Sequence, residues 1–297
     1  MTKNGMKIGV VGLGGNWSSE KLADALAERT GYRLLIEADE LTADLASGKL
    51  FHRGQDLSAL DALVIKKIGE TYSPSLLDRL EVLRYAESKG LPFFSSPSRI
   101  MRLLDRLSCT VSLAAAGIPM PPTVITESAE EAEGAVNNFG EAVFKPLYST
   151  KARGMALIAK GPEARMAIEK FKNDGNPVMY IQKKITGPGW DMGVSFLGGE
   201  YIATYARVGA GKSWNTTTAN GGKYKAMEPS KEILEIARKA QSVFGLDFTC
   251  VDIMETADGP IVFEVSAFGG FRGLLEGNGV DAAALIADYA IRKISNE

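Results

Sequence analysis

The chain has 297 residues, with 34 Lys and Arg against 36 Asp and Glu for a net charge of −2, and it is 45% hydrophobic and 24% charged. At about 100–200 residues per domain this is a folded chain of two or three packed units, so a single small module is excluded. Both signs of charge are spread along the sequence, which gives no concentrated basic face for duplex nucleic acid. No apolar run approaches the ~18–20 residues of a membrane span, and the opening MTKNGMKIGVVGLGG lacks a long apolar core with a cleavage-like site. The expectation is a soluble, cytoplasmic protein that binds neither nucleic acid nor membrane. Cys109 and Cys250 lie far apart without C-x-x-C spacing, and His52 is the only histidine, so a Cys/His zinc site or a Ser-His-Asp triad has almost no material. Beside Arg53 and Gly54, His52 reads as surface loop.

In chain order, Lys7 to Val11 is a β-branched run ending in Gly12-Leu-Gly14-Gly15, and Glu20 to Arg29 has apolar residues at helical spacing. Strands are expected at Tyr32 to Glu37 and Ala62 to Ile65, a helix at Pro74 to Ser88, and a short strand with a turn in Gly90 to Pro97. Strands alternating with helices imply a parallel sheet. A boundary falls near Ser96. Ser98 to Ala116 reads as one helix, stopped by Gly117 and the Pro119, Pro121, Pro122 cluster, with a linker or short edge segment after it. Then come a strand at Val143 to Pro146, a strand at Met155 to Ile158, a helix at Pro162 to Asn173 and a strand at Val178 to Gln182. Strands at Gly189–Leu197, Tyr201–Val208, Phe248–Met254 and Pro260–Val265, with helices at Ser230–Phe244 and Asp281–Ile294, read as antiparallel sheet flanked by helices. The resulting class is α/β followed by α+β.

Gly12-x-Gly14 between strand and helix is a geometry that can aim backbone amides at a pyrophosphate, with Glu37 or Asp39 on a ribose. The third glycine of G-x-G-x-x-G falls at Trp17, which is too bulky for close strand–helix approach. A bare βα turn capped by Ser18 or Ser19 is the plain reading. Between the two stands a substrate pocket at the helix start, built from Asn16, Ser18 and Ser19.

The later units carry polar residues that a core would not choose. Lys145 sits within Ala-Val-Phe-Lys-Pro, where a buried ammonium is costly unless an anion such as phosphate neutralises it. Tyr148-Ser149-Thr150-Lys151-Ala-Arg153-Gly154 comes directly after it, either an exposed hairpin tip or a turn offering amides, hydroxyls and cations to a nucleotide. Asp252 and Glu264 are each embedded in an apolar strand, and like charges brought close need a cation between them, for which Mg²⁺ bridging phosphates is the natural choice.

Lys145-Pro with its loop, Ile181-Gln182-Lys183-Lys184-Ile185, Asp191, Val251-Asp-Ile253 and Glu264-Val-Ser-Ala267, in this order and spacing, resemble the ATP-grasp superfamily. The similarity is greatest to RimK-type carboxylate–amine ligases, and it extends to Ser96-Pro-Ser-Arg-Ile, Asp105-Arg106 and Ala116-Gly-Ile-Pro119. The resemblance covers residues 95 to 297, and more loosely the first unit. It implies an ATP-grasp fold with an N-terminal Rossmann-like parallel-sheet domain, divided as residues 1–95, 96–180 (central subdomain) and 181–297 (C-terminal subdomain with the metal site). It further implies an ATP- and Mg²⁺-dependent ligase, with Mn²⁺ as a substitute, that joins a small-molecule or peptide carboxylate to an amine through an acylphosphate. It also implies a homo-oligomer.

By matching position, Arg106, Lys145, Ser149, Thr150 and Arg153 are implied to contact phosphates. Gln182, Lys183, Lys184 and Ile185 are implied to border adenine, with Asp191 near the ribose. Asp252, Glu264 and Ser266 take the metal positions, and Arg207 and Asn215 the catalytic ones. Ser18, Asn220 and Arg272 are expected at the substrate. Departures from the family pattern cluster here: Arg106 replaces a lysine, Lys183 an acid and Ser266 an asparagine, while Asn215 and Asn220 stand where relatives have arginines and Gly193 lies at or near another such position. These losses leave open a second reading, a nucleotide-binding homologue with lost or altered catalysis acting as sensor or partner subunit.

Overall fold

A computed structural model describes residues 5–149, 152–209 and 223–296. In it β1 (Ile8–Gly12), buried at every position, leads into α1 (Trp17–Thr30) and β2 (Leu35–Glu37). Three short antiparallel strands intervene, β3 (Leu41–Asp44), β4 (Lys49–His52) and β5 (Gln55–Asp56), before β6 (Ala62–Ile65), α2 (Ser75–Ser88) and β7 (Phe93–Phe94). Strands β2, β1, β6 and β7 lie in that order, all parallel, as the alternation of strand and helix predicts. His52 is not in a surface loop. It is buried on β4, its Nε2 accepting from the Glu37 amide at 3.3 Å, and burial lowers its pKa.

The expected single helix 98–116 is two, α3 (Pro97–Leu104) and α4 (Arg106–Ala115). Asp105 breaks it by adopting extended backbone, and its carboxylate accepts from the Ser108 amide at 2.6 Å and the Ser108 hydroxyl at 2.7 Å, capping α4. This break sets Arg106 at the start of α4. The next unit comprises β8 (Thr123–Thr126), α5 (Ala129–Phe139), β9 (Glu141–Lys145), β10 (Ala156–Ala159), α6 (Ala164–Asn173) and β11 (Met179–Lys183). The sheet order is β10-β9-β11-β8, antiparallel throughout. β8 is the expected short edge segment, and α5 follows it where no helix is expected; Ser128 caps α5, and small Ala132 and Ala135 with Val136 bury its inner face. This unit has its own apolar core around Phe144, Ile168, Phe171 and Ile181.

The last sheet contains β12 (Trp190–Leu197), β13 (Glu200–Val208) and β14 (Lys223–Ala226) and, after α7 (Lys231–Ser242), β15 (Phe248–Thr256) and β16 (Gly259–Ser266), in the order β14-β13-β12-β15-β16. Helices α8 (Phe271–Asn278) and α9 (Ala282–Asn296) complete the chain. Alternation divides the two faces of this sheet. Met192, Val194, Phe196, Val251, Ile253, Val262 and Val265 share one core with Ile233, Ala237, Ala240 and Phe244, the apolar stripe that Ser230 caps at the start of α7. The other face carries Asp191, Gly193, Ser195, Tyr205, Arg207, Cys250, Asp252, Glu264 and Ser266, as the strand register requires. The first unit and this last one share both of their cores: Val10, Leu22 and Val64 pack with Phe248, Phe271 and Ile286. No helix among the described residues is long and apolar enough to cross a membrane.

Gly193 stands opposite both Tyr205 and Asp252. A Cβ there would lie 2.3 Å from Tyr205 Cζ, and one at Gly273 of α8 would lie 2.5 Å from the same ring. The tyrosine therefore fills the volume that a side chain at 193 would take, and its hydroxyl meets Cys250 Sγ at 3.3 Å. Gly193→Ala is expected to cost about 1–3 kcal/mol by overpacking, measured by denaturant unfolding, and the cost should shrink in a Tyr205→Leu background. Equal costs in both backgrounds would contradict this packing.

Candidate active site

The polar face of the last sheet concentrates charge. Arg207 donates from Nε to Asp191 Oδ2 at 3.0 Å and also through Nη2, and that same Nη2 lies 3.0 Å from Asp252 Oδ2. Asp252 is in turn the register partner of Glu264 on the next strand. Arg207 lies on β13 and Asp252 on β15, so the guanidinium spans β12 to reach it. Burial raises the Asp252 pKa to about 7, with Arg207 opposing and Glu264 and Asp191 adding to the rise. Two carboxylates thus share one guanidinium while a third, Glu264, stands beside Asp252 without an ion-pair partner among the described residues, an arrangement with capacity for a further cation.

Beside Glu264 and Ser266 runs a cleft lined also by Tyr72, Arg106, Ser149, Ala267 and Phe268. Arg106 Nη1 donates to the Pro146 carbonyl and lies 3.5 Å from Ser149 Oγ. Lys145, at the end of β9, donates to Gln182 Oε1 at 2.5 Å, and Gln182 donates to Thr123 Oγ1 and Tyr180 Oη at 3.1 Å each. The nearest partner of this ammonium is a neutral amide. Burial lowers its pKa to about 7, with Arg106 adding to the fall and Glu264 opposing it. A half-buried ammonium and a neighbouring guanidinium fit an anion, and the carboxylates fit a divalent cation, so the donor set suits a nucleotide with its metal.

The remaining expected residues are more scattered. Lys183 is exposed and its amide donates to the Pro122 carbonyl at 2.8 Å; the Lys184 amide donates to the Glu141 carbonyl at 3.1 Å and its Nζ pairs with Glu141 Oε2 at 2.7 Å. Ile185 lies just past the end of β11. The amides of the expected adenine segment are therefore engaged as far as Lys184. Arg153 is exposed. Ser266 Oγ accepts from the amides of Phe268 at 3.2 Å and Gly269 at 3.0 Å, so a metal would compete with two donors for this hydroxyl. Thr150, Asn215 and Asn220 lie outside the described residues.

Ser18 and Arg272 are away from the cleft lining. Ser18 Oγ donates to Asn16 Oδ1 at 3.0 Å, and Arg272 lies 5.0 Å over the Trp17 ring with Glu276 at 3.5 Å. In the glycine turn, the amides of Leu13, Gly14 and Gly15 donate to Ser19 Oγ, Glu37 Oε1 and Glu20 Oε1, at 3.2, 3.3 and 2.7 Å. Carboxylates already occupy the place a pyrophosphate would take, which favours the plain turn, although the cap position is Asn16 and Ser18 and Ser19 lie within α1 instead of capping it. Sequence reasoning missed Tyr72, whose phenol burial pushes up to about 12 with Glu264 adding to the shift. It also missed Lys66, buried against Phe268 and Phe271. Neither stands in a patterned motif; a lysine pair, Lys66-Lys67, directly after an apolar strand was the available signal.

Residues 104–290 match the family model of the RimK-like ATP-grasp domain. The chain is 27% identical over 309 residues, covering 92% of this chain and 95% of the relative, to the tetrahydromethanopterin:alpha-L-glutamate ligase of Methanosarcina acetivorans. It is 26% identical over 289 residues, covering 96% of this chain and 95% of the relative, to a probable alpha-L-glutamate ligase of Vibrio cholerae. Among solved structures, the ATP-grasp ligase PsnB in complex with a precursor variant, Mg and ADP aligns with a TM-score of 0.76 at 18% identity, over 97% of this chain and 99% of that one. A RimK domain protein from Sphaerobacter thermophilus aligns at 0.73 and 23% identity, over 95% and 98%. These likenesses establish the fold.

A lysine with a pKa near 7 is charged below that pH and must regain a proton above it when an anion binds. ATP binding at about pH 8 is therefore expected to take up a proton, read as a calorimetric heat that changes with the ionisation enthalpy of the buffer, and Lys145→Met should abolish the uptake. Buffer-independent heats in the unaltered protein would contradict this.

Proposed function

The chain belongs to the RimK-like ATP-grasp family and is an ATP-dependent ligase that joins a carboxylate to an amine; on that premise we propose that the amine is L-glutamate and that Asp252 and Glu264 hold the divalent cation. The observation that carries the reading is the pairing of Asp252 with Glu264 across two strands, with Arg207 in contact with one of them and the cleft beside the other. The glutamate assignment is supported by the named activity of the relatives, which align along nearly the whole chain. The units 1–95, 96–180 and 181–297 are our division; the separate core of the middle one supports it over residues 124–181, while α3 and α4 pack into a core with the first and last units.

In the reaction, an oxygen of the substrate carboxylate attacks the γ-phosphorus of ATP. The bond from that phosphorus to the β–γ bridging oxygen breaks, giving an acylphosphate and ADP. The glutamate ammonium loses one proton to solvent, the free amine then attacks the acyl carbon, and phosphate departs with its bridging oxygen, taking up the second nitrogen proton as hydrogen phosphate. A bound Mg²⁺ supplies charge neutralisation at the phosphate oxygens, and the all-oxygen donors accept Mn²⁺ as a substitute. Lys145 and Arg106 offset negative charge on the nucleotide, and Ser149 adds a hydroxyl. Asp191 holds the Arg207 fork in place, so that the guanidinium stands ready beside the transferring phosphoryl group without reorganising. Ser266 acts on this site by shaping the turn after β16.

The test is ADP formation by the full chain with Mg²⁺, ATP, L-glutamate and a panel of carboxylates that includes glutamate-terminated peptides. Glutamate-dependent ADP formation with a new amide product is expected, and Glu264→Gln should reduce it by about 100-fold or more. A Glu264→Gln variant with undiminished turnover would remove the carboxylate pair from the mechanism.

A further inference from the structure

Lys66 comes directly after β6 in the first unit, where its amide donates to the Val11 carbonyl at 2.8 Å. Its side chain leaves that unit. Nζ donates to the Phe268 carbonyl at 2.6 Å and lies 3.8 Å from the centre of the Phe271 ring. Only 3% of the residue is exposed. Burial pushes its pKa down to about 7, and an apolar side chain of similar length would pack on Phe271 at less cost, so a polar amine with a hydrogen bond at this place calls for an explanation beyond packing.

Its target supplies one. Residues 267–270 form the turn between β16, which carries Glu264 and Ser266, and α8. Ser266 Oγ holds this turn from within through the Phe268 and Gly269 amides, and Lys66 holds it from the opposite side through the Phe268 carbonyl. Phe271 is seated edge-on against Phe248 of β15, with ring centres 5.6 Å apart. The turn lies on the polar face of the sheet: a Cβ on Gly270 would come within 3.4 Å of Ser195 Oγ and 3.6 Å of Cys250 Cβ. Ala267 and Phe268 in turn form cleft wall beside Glu264.

We propose that Lys66 is a positioning residue for the ligase reaction: from the N-terminal sheet it clamps the 267–270 turn, and so fixes the cleft wall next to Glu264 and Ser266. This rests on the ligase reading above. The residues assigned to the nucleotide phosphates, Lys145, Arg106 and Ser149, have no hydrogen bond to Lys66. Loss of the clamp therefore acts first on the Glu264 and Ser266 side of the cleft, the reacting end of the site. Misplacing a reacting group by an ångström costs up to about 100-fold in rate.

Two readings on the full chain test this. In Lys66→Met, the Phe268 and Gly269 amides are expected to exchange with deuterium at least tenfold faster, kcat for glutamate-dependent ADP formation should fall at least tenfold with the best carboxylate of the panel, and KM for ATP should stay within twofold. Lys66→Arg should restore most of kcat. If Lys66→Met does not fold, Lys66→Gln, which keeps a polar end without the cation, is expected to show the same split. Unchanged exchange would overturn the clamp, and faster exchange with unchanged kcat, or a matching rise in KM for ATP, would overturn the positioning role. An unaltered protein that turns over none of the carboxylates would instead defeat the ligase reading, while the exchange measurement would still decide the clamp.

Discussion

The site depends on three carboxylates held on one face of a β-sheet with one guanidinium among them. Like charges at this proximity, out of bulk water, repel strongly, and Arg207 relieves only part of that by touching Asp191 and Asp252. Much of the surrounding architecture serves this concentration of charge. The opposite face of the sheet is apolar and fixed against α7. Gly193, having no side chain, leaves room for the Tyr205 ring between β12 and α8. Glu264 reaches the cleft because β16 pairs with β15 in a register that sets it opposite Asp252.

Complementary charge comes from elsewhere in the chain. Lys145 arrives on the central sheet and Arg106 on α4, whose start is fixed by the break at Asp105. Each is placed by an element that the polar sheet does not own. The site is therefore assembled between units: acids on one sheet, cations on another unit and on the helix leading into it. The first unit contributes through Lys66, and through two apolar cores that it shares with the last.

Much of this was legible in the residues. The apolar run around Lys145 and the acids inside Cys-Val-Asp-Ile-Met and Val-Phe-Glu-Val are locally anomalous, and an anomaly of burial can be read without a structure. The alternating strands and helices of the first unit were legible for the same reason, since hydrophobic period is a local property. Other features were not. Nothing local marks Asp105 as a helix break, because it lies inside a continuous helical pattern and acts by capping the first turn of α4. His52 reads as loop beside Arg53 and Gly54, yet β3 and β5 bury it, and strand pairing is non-local. Tyr205 and Gly193 belong to different strands, so their exchange of volume appears only when the strands are laid side by side. Lys66 meets Phe268 across 202 positions of sequence.

The central claim, that this face and cleft receive a nucleotide with a divalent cation, is tested most directly by equilibrium titration of the full chain with the non-hydrolysable analogue AMPPNP, with and without Mg²⁺. The account predicts one site per chain and binding at least tenfold tighter with Mg²⁺. Absence of binding, or an affinity indifferent to Mg²⁺, would contradict it.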